Sequence, residues 1–202
     1  ANMHAANNWD DVIGESGPED PDLSMISFQA LDGRPIALLA NYSLHYVGGV
    51  RKGDVSADYF GIFAEVIAER MGDEKQHPPF VGMLSNGTSG DINNINFRNP
   101  RPRREPYEQI RIVAGKAADA ATRAIRQIGS PSGDLKLAMR QREITLKHRV
   151  PTAEQIERAK KIVEMDAEAE KQLPRLAKAY AIRTLKLAEE PPTTKVLIQT
   201  VR

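Results

Sequence analysis

Apolar and polar positions along the chain change period several times, and each change marks a predicted element. Residues 1–22 are polar and rich in Asn, Asp, Gly and Pro, so they read as loop. Ser24 to Leu31 alternates loosely and predicts a strand. Asp32-Gly33 is a hairpin turn signal, and Arg34 to Leu44 returns as a second strand. Its apolar run, Ile36-Ala37-Leu38-Leu39-Ala40, suggests burial on both faces. The run stops at His45, and Gly48 and Gly49 follow in a flexible loop. The period then becomes helical. With Ser56 as N-cap, Phe60, Phe63, Ile67 and Met71 lie on one stripe that Gly72 ends. Pro78-Pro79 breaks the chain before a second short apolar run, Phe80 to Leu84. Strand, helix and strand in that order favour a crossover with a parallel pair.

Residues 85–105 read as a long irregular loop, a length that is usually functional or disordered. Pro106 suits a first helical position, and the helix it opens runs to about Ile128, with Ile110, Val113, Ala117, Ala121, Ala124 and Ile128 inward. Gly129 to Gly133 is a turn, and Leu135 to Arg149 alternates as a strand. Thr152 with Gln155 makes a capping box for a charged helix, Ala153 to Lys171, and a second helix follows from Pro174 to Glu189. The plainer reading of this hairpin is a solvated surface excursion with no chemistry. Val196 to Arg202 reads as a last strand. Together these elements predict an α/β fold: a mixed, partly parallel sheet with helices on its faces, plus a charged helical hairpin at about 152–190. All of 1–202 is expected to belong to one domain. A chain that starts without methionine and stops inside a strand pattern is expected to be a piece of a longer polypeptide.

Composition narrows the function classes. The 202 residues are 41% hydrophobic and 27% charged, a globular balance. A net charge of +1 argues against a dedicated nucleic-acid binder, which would carry a basic excess. No apolar run approaches the roughly 20 residues that span a bilayer. Cysteine is absent, which removes disulfides, thiolate metal sites and cysteine nucleophiles.

Chemistry is expected where the two apolar runs end, because open α/β sheets place their sites at the carboxyl ends of neighbouring strands. His45 ends the first run and is a candidate metal ligand, since a neutral imidazole held by a strand end suits zinc. A satisfied structural histidine is the bland counterpart. The second run ends at Asn86-Gly87-Thr88-Ser89-Gly90-Asp91. Here glycines that permit positive φ would let backbone N–H groups converge on an anion or oxyanion. Equally, Asp91 could cap its own backbone in a tight turn. Asp54, Ser56 and Asp58 precede the first helix, close to the His45 loop in any crossover topology. Arg98, Arg101, Arg103 and Arg104 could clamp an acidic group or stand in a solvated loop.

Three blocks in order, Asp20-Pro21-Asp22-Leu23 through Asp32-Gly33-Arg34-Pro35 to Asn41-Tyr42-Ser43-Leu44-His45, then Ser56-Ala57-Asp58-Tyr59, then Asn86-Gly87-Thr88-Ser89-Gly90-Asp91-Ile92-Asn93, resemble the N-terminal catalytic domain of neutral/alkaline non-lysosomal ceramidases and their bacterial relatives. The resemblance covers roughly residues 20–97. It implies that His45 is a zinc ligand, since it stands where the family's Asn-Tyr-x-x-His histidine does. It also implies further ligands from a His-Thr-His segment, a glutamate and a tyrosine, expected before Ala1 and after Arg202. The family's Gly-Asp-x-Ser-Pro motif matches at Gly90, Asp91 and Ile92. Asn93 then replaces the serine, and Asn94 the proline. An asparagine amide hydrogen-bonds a carbonyl or water but supplies no hydroxyl nucleophile. Ser89 is the nearby hydroxyl.

The expected function is a zinc-dependent hydrolase of an amide (N-acyl) or related bond. His45 binds metal, Asp91, Asn93 and Ser89 serve as catalytic candidates, and Asn86, Gly87 and Gly90 serve as substrate-binding candidates. The rival expectation is a ceramidase-like domain that binds without catalysing. A third is a structural or interaction piece that uses the hairpin as its contact surface. Expected partners are a small-molecule or lipid-like amide and the remaining part of the same polypeptide, with no nucleic acid and no transmembrane segment. The family resemblance points to an extracytoplasmic setting.

Overall fold

The computed structural model of the chain describes residues 14, 17–72, 75–90, 92–96, 99 and 102–202. They form two compact units, 1–133 and 134–202.

In the first unit, β1 (Ser24–Gln29) pairs antiparallel with β2 (Pro35–Tyr42), and β2 pairs parallel with β3 (Val81–Asn86). The hairpin closes through Gly33 N–H to Ala30 C=O at 3.0 Å and Ala30 N–H to Arg34 C=O at 2.8 Å. Gly33 takes φ +87°, a left-handed value that glycine adopts without Cβ strain. Between β2 and β3 runs α1 (Asp58–Met71), giving the predicted crossover and a mixed, partly parallel sheet.

The core lies on one side of this sheet. Leu38 and Ala40 of β2 pack with Tyr59, Phe63 and Ile67 of α1, all fully buried. Burying each large side chain is worth about 1.5–3 kcal/mol. Gly82 of β3 lets α1 approach, since a Cβ there would meet the Ala64 carbonyl at 2.6 Å. Outside α1 packs α2 (Glu108–Ile125), through Ile110, Ala114, Ala117, Ala118 and Ala121. Small side chains permit this close approach, and Arg70 of α1 bridges to Asp119 at 2.8 Å.

Burial of β2 on both faces is only partial: Ala37 is buried on the face opposite Leu38 and Ala40, but its neighbour on that face is not. Leu38 and Ala40 are buried, whereas Leu39 is 37% exposed on the opposite face. The register lines Leu39 up with Ile26 and Met83, and Ala37 with Phe28 and Val81. Ile26, Phe28, Met83 and Val81 are likewise exposed. The apolar run thus supplies one core face and a second apolar face that is open at Leu39.

Other boundaries also differ from expectation. β2 ends at Tyr42, not Leu44, and β3 continues to Asn86. α2 is preceded by Tyr107 at φ +67°, so Pro106 stays outside the helix.

In the second unit, β4 (Met139–Lys147) and β5 (Thr193–Val201) form an antiparallel ribbon, Met139 opposite Val201. Between them lies the helical excursion. Thr152 caps α3 (Ala153–Val163) with both bonds of the predicted capping box. The expected single helix to Lys171 divides there. Asp166 accepts N–H bonds from Glu168 and Ala169 at 3.0 and 2.8 Å and starts a new turn, α4 (Ala167–Glu170). α5 (Ala177–Glu189) completes the hairpin against α3.

Candidate functional site at the carboxyl ends of β2 and β3

Because β2 and β3 are parallel, their carboxyl ends lie at the same edge, with Tyr42 opposite Asn86. The chain leaving β3 folds back onto the chain leaving β2. Gly87 N–H donates to the Tyr42 carbonyl at 2.9 Å. Ser43, 1% exposed, is the centre of this junction. Its hydroxyl accepts the Thr88 N–H at 3.2 Å, donates to the Asp20 carboxylate at 3.2 Å, and lies 3.3 Å from the Thr88 hydroxyl. A Cβ on Gly87 would collide with Ser43 Oγ and come within 2.9 Å of Asn41 Oδ1. Gly87 is therefore required for close approach. Neither it nor Gly90 adopts a left-handed φ, contrary to the reason first given for them.

The bend is also tied to itself. Asn86 Nδ2 donates to Ser89 Oγ at 2.9 Å, and Ser89 N–H donates to the Gly87 carbonyl at 3.0 Å. The N–H groups of Gly87, Thr88 and Ser89 are thus all taken by the protein's own oxygens, so they do not form the anion-binding nest. The expected converging amides would need positive φ at the glycines, and that geometry is absent here. A Cβ on Gly90 would meet open space.

Asn93 uses its Oδ1 to accept from the Asn94 N–H at 2.8 Å and from Asn94 Nδ2 at 3.1 Å. Asn94 Oδ1 in turn accepts from Gln109 Nε2 of α2 at 3.1 Å. Asp91, Arg98 and Arg101 lie outside the described residues. Arg104 is engaged with α2, donating to Gln109 Oε1 at 2.6 Å.

His45 lies three residues beyond β2 and is half-buried, not sealed in the core. Its ring meets the exposed Tyr46 ring edge-on, with centroids 5.3 Å apart. Its backbone neighbours are held from α1. The Tyr59 hydroxyl donates to the Leu44 carbonyl at 2.7 Å. The Asp58 carboxylate accepts N–H bonds from Val47 at 3.0 Å and Gly48 at 2.8 Å. Sequence order pointed to Asp58 lying near this loop. Nothing in the sequence marked Tyr59 as more than a core aromatic. Burial pushes the Tyr59 hydroxyl above the ordinary tyrosine value, and Tyr42, the Asp58 carboxylate and Tyr46 add to the rise.

Among the described residues no hydrogen bond, ion pair or ring contact joins His45 directly to the bend. The connection runs through Ser43, two residues earlier. Nor does any group of three or more His, Cys, Asp or Glu among the described residues stand ready to hold a metal. A zinc site needs three or four protein donors, and here one candidate imidazole is in place. The described residues alone therefore do not enclose a zinc ion. Two surface clefts lie elsewhere: one of about 390 Å³ beside Arg70 and Arg123, and one of about 490 Å³ between α3 and α5.

No protein-family model matches the chain, and no curated protein sequence matches it. Among solved structures it is similar to the crystal structure of neutral ceramidase from Pseudomonas aeruginosa, with a TM-score of 0.54 and 15% identity. The match covers 91% of this chain and 33% of that one, so the chain spans about one third of the neighbour's length. At this identity the likeness is one of fold: the chain shares an α/β architecture with part of a neutral ceramidase.

Proposed function

We propose that this chain is the part of a ceramidase-like hydrolase that carries the carboxyl-edge site of the β2–β3 pair, acting on an amide (N-acyl) or related bond. The carrying observation is the junction at Ser43, which brings the segment bearing His45 and the bend 86–90 to one sheet edge. The fold likeness to a neutral ceramidase and the three sequence blocks support the same reading.

In this proposal His45 is one metal donor, and zinc is the metal that the sequence resemblance implies. The other donors come from the rest of the polypeptide. Asn86, Gly87 and Gly90 shape the wall facing the substrate, Ser89 supplies the hydroxyl, and Asp91 and Asn93 orient water or the acyl group. All of 1–202 belongs to one ceramidase-like domain in this proposal. A lipid-like amide is the substrate class, and the setting is extracytoplasmic. No helix among the described residues is long and apolar enough to cross a membrane.

One observation favours a second reading, binding without catalysis. The Asn93 carbonyl and the N–H groups of residues 87–89 are already engaged within the protein. Assaying the full-length polypeptide against N-acyl lipids and simpler amides separates the two. Metal-dependent turnover supports the hydrolase. Saturable binding of the same amides without turnover supports the binding domain.

A further inference from the structure

Among the described residues only two non-glycine residues adopt a left-handed backbone, Asp58 at φ +55° and Tyr107 at φ +67°. Such a conformation costs about 1 kcal/mol or more and persists where surrounding structure over-determines it. The two residues stand at the starts of different helices, α1 and α2, yet both grip the same short loop.

Asp58 is 8% exposed, and its carboxylate accepts the Val47 and Gly48 N–H groups as well as its own neighbour's, Tyr59 N–H at 2.7 Å. The Asp58 N–H is itself satisfied by Ser56 Oγ at 3.0 Å. Tyr107 N–H donates to the Gly49 carbonyl at 2.9 Å, and the Tyr107 hydroxyl is bonded to Asp54. Tyr59 holds the Leu44 carbonyl. From Leu44 to Gly49, then, four backbone polar groups are fixed by side chains or N–H groups of the two helix starts. Gly48 and Gly49 take φ of +66° and +76°, left-handed values that glycine adopts without strain and that turn the loop back toward the two helix starts. His45 and Tyr46 lie inside the fixed stretch, between Leu44 and Val47.

We infer that Asp58, Tyr59 and Tyr107 are positioning residues, forming a three-point clamp that fixes the 44–49 loop and thereby presents the His45 ring in one orientation. A carboxylate accepting several backbone N–H groups makes charge-assisted bonds, which are stronger than neutral ones. The part of this inference that concerns His45 rests on the function proposed above. The part that concerns the loop does not.

The test uses the full chain and Asp58→Asn, which keeps the shape, tolerates the left-handed backbone and removes the charge. Two residue-specific NMR readouts are taken: amide hydrogen exchange at Val47 and Gly48, and relaxation of the His45 ring carbon. With four histidines in the chain, that ring signal is assignable. Exchange at Val47 and Gly48 is expected to rise about tenfold, the equivalent of roughly 1.4 kcal/mol, while Leu38 and Ala40 amides stay unchanged and the His45 ring gains motion. Tyr59→Phe, which removes only the hydroxyl, is expected to free the ring in the same way. Unchanged exchange and ring motion in both variants overturns the clamp, as does exchange in Asp58→Asn that rises equally across β2. If the clamp behaves as described but His45→Ala leaves hydrolysis by the full-length polypeptide intact, the proposed function fails and the clamp stands.

Discussion

Gly87 lies directly against Ser43, so that a Cβ on the glycine would overlap the serine oxygen. Through this contact a loop 44 residues further along the chain is seated on the end of β2. Gly87→Ala is expected to destabilise the first unit by about 1–3 kcal/mol, the usual cost of forcing atoms into a filled site. Urea unfolding should show a lower midpoint with an unchanged slope. The Thr88 amide should lose its exchange protection. A variant as stable as the parent, with Thr88 still protected, would show that the contact is loose.

The crossover that brings the two strand ends together depends on a second close approach. A Cβ on Gly82 would press on backbone atoms of Ala64, at 2.6 Å from its carbonyl oxygen. Backbone cannot swing aside as a side chain can. Gly82→Ala is accordingly expected to cost about 1–3 kcal/mol and to shift α1 away from β3. Circular dichroism should report a lowered melting temperature. A control substitution at Gly115 of α2, where a Cβ would meet nothing within 4 Å, should leave it unchanged or raise it.

Tyr59 couples stability to alkaline pH. Its hydroxyl is buried, donates to Leu44, and is held above the ordinary tyrosine value mainly by burial. The unfolded chain loses this proton near pH 10, whereas the folded chain keeps it. Above that pH the unfolded state binds fewer protons, so stability falls as pH rises, by up to about 1.4 kcal/mol per unit. Below it the group contributes no slope. Tyr59→Phe should cost about 1–3 kcal/mol near neutrality, because the Leu44 carbonyl loses its partner. It should also flatten the fall that sets in above about pH 10. Parallel alkaline limbs for the two proteins would contradict this assignment.

Local chemistry was readable from sequence wherever the controlling residues are close in the chain. Asp32-Gly33 announced the hairpin, Gly72 the end of α1, and Thr152 with Gln155 a capping box that forms both its bonds. The strand, helix, strand order announced the parallel β2–β3 pair and the edge where their ends meet. What escaped depends on partners far away. The pairing of Met139 with Val201 joins residues some sixty apart, which no local period reports. The split after Val163 turns on one capping aspartate inside an otherwise helical pattern. Gly87 was legible as a glycine but not as a steric necessity, since Ser43 comes from the distant segment just past the end of β2. The open face of β2 looked buried because Leu39 is apolar, and apolarity alone does not say whether anything covers it.

In the proposed function the His45 imidazole, three residues past β2, is a donor in a metal-dependent hydrolytic site. Elemental analysis of the full-length polypeptide, purified beside its His45→Ala variant, tests it most directly. The parent should carry about one zinc per chain. The variant should lose most of it, while its unfolding midpoint stays close to the parent's. Equal zinc in both, or none in the parent under metal-replete conditions, would contradict the claim.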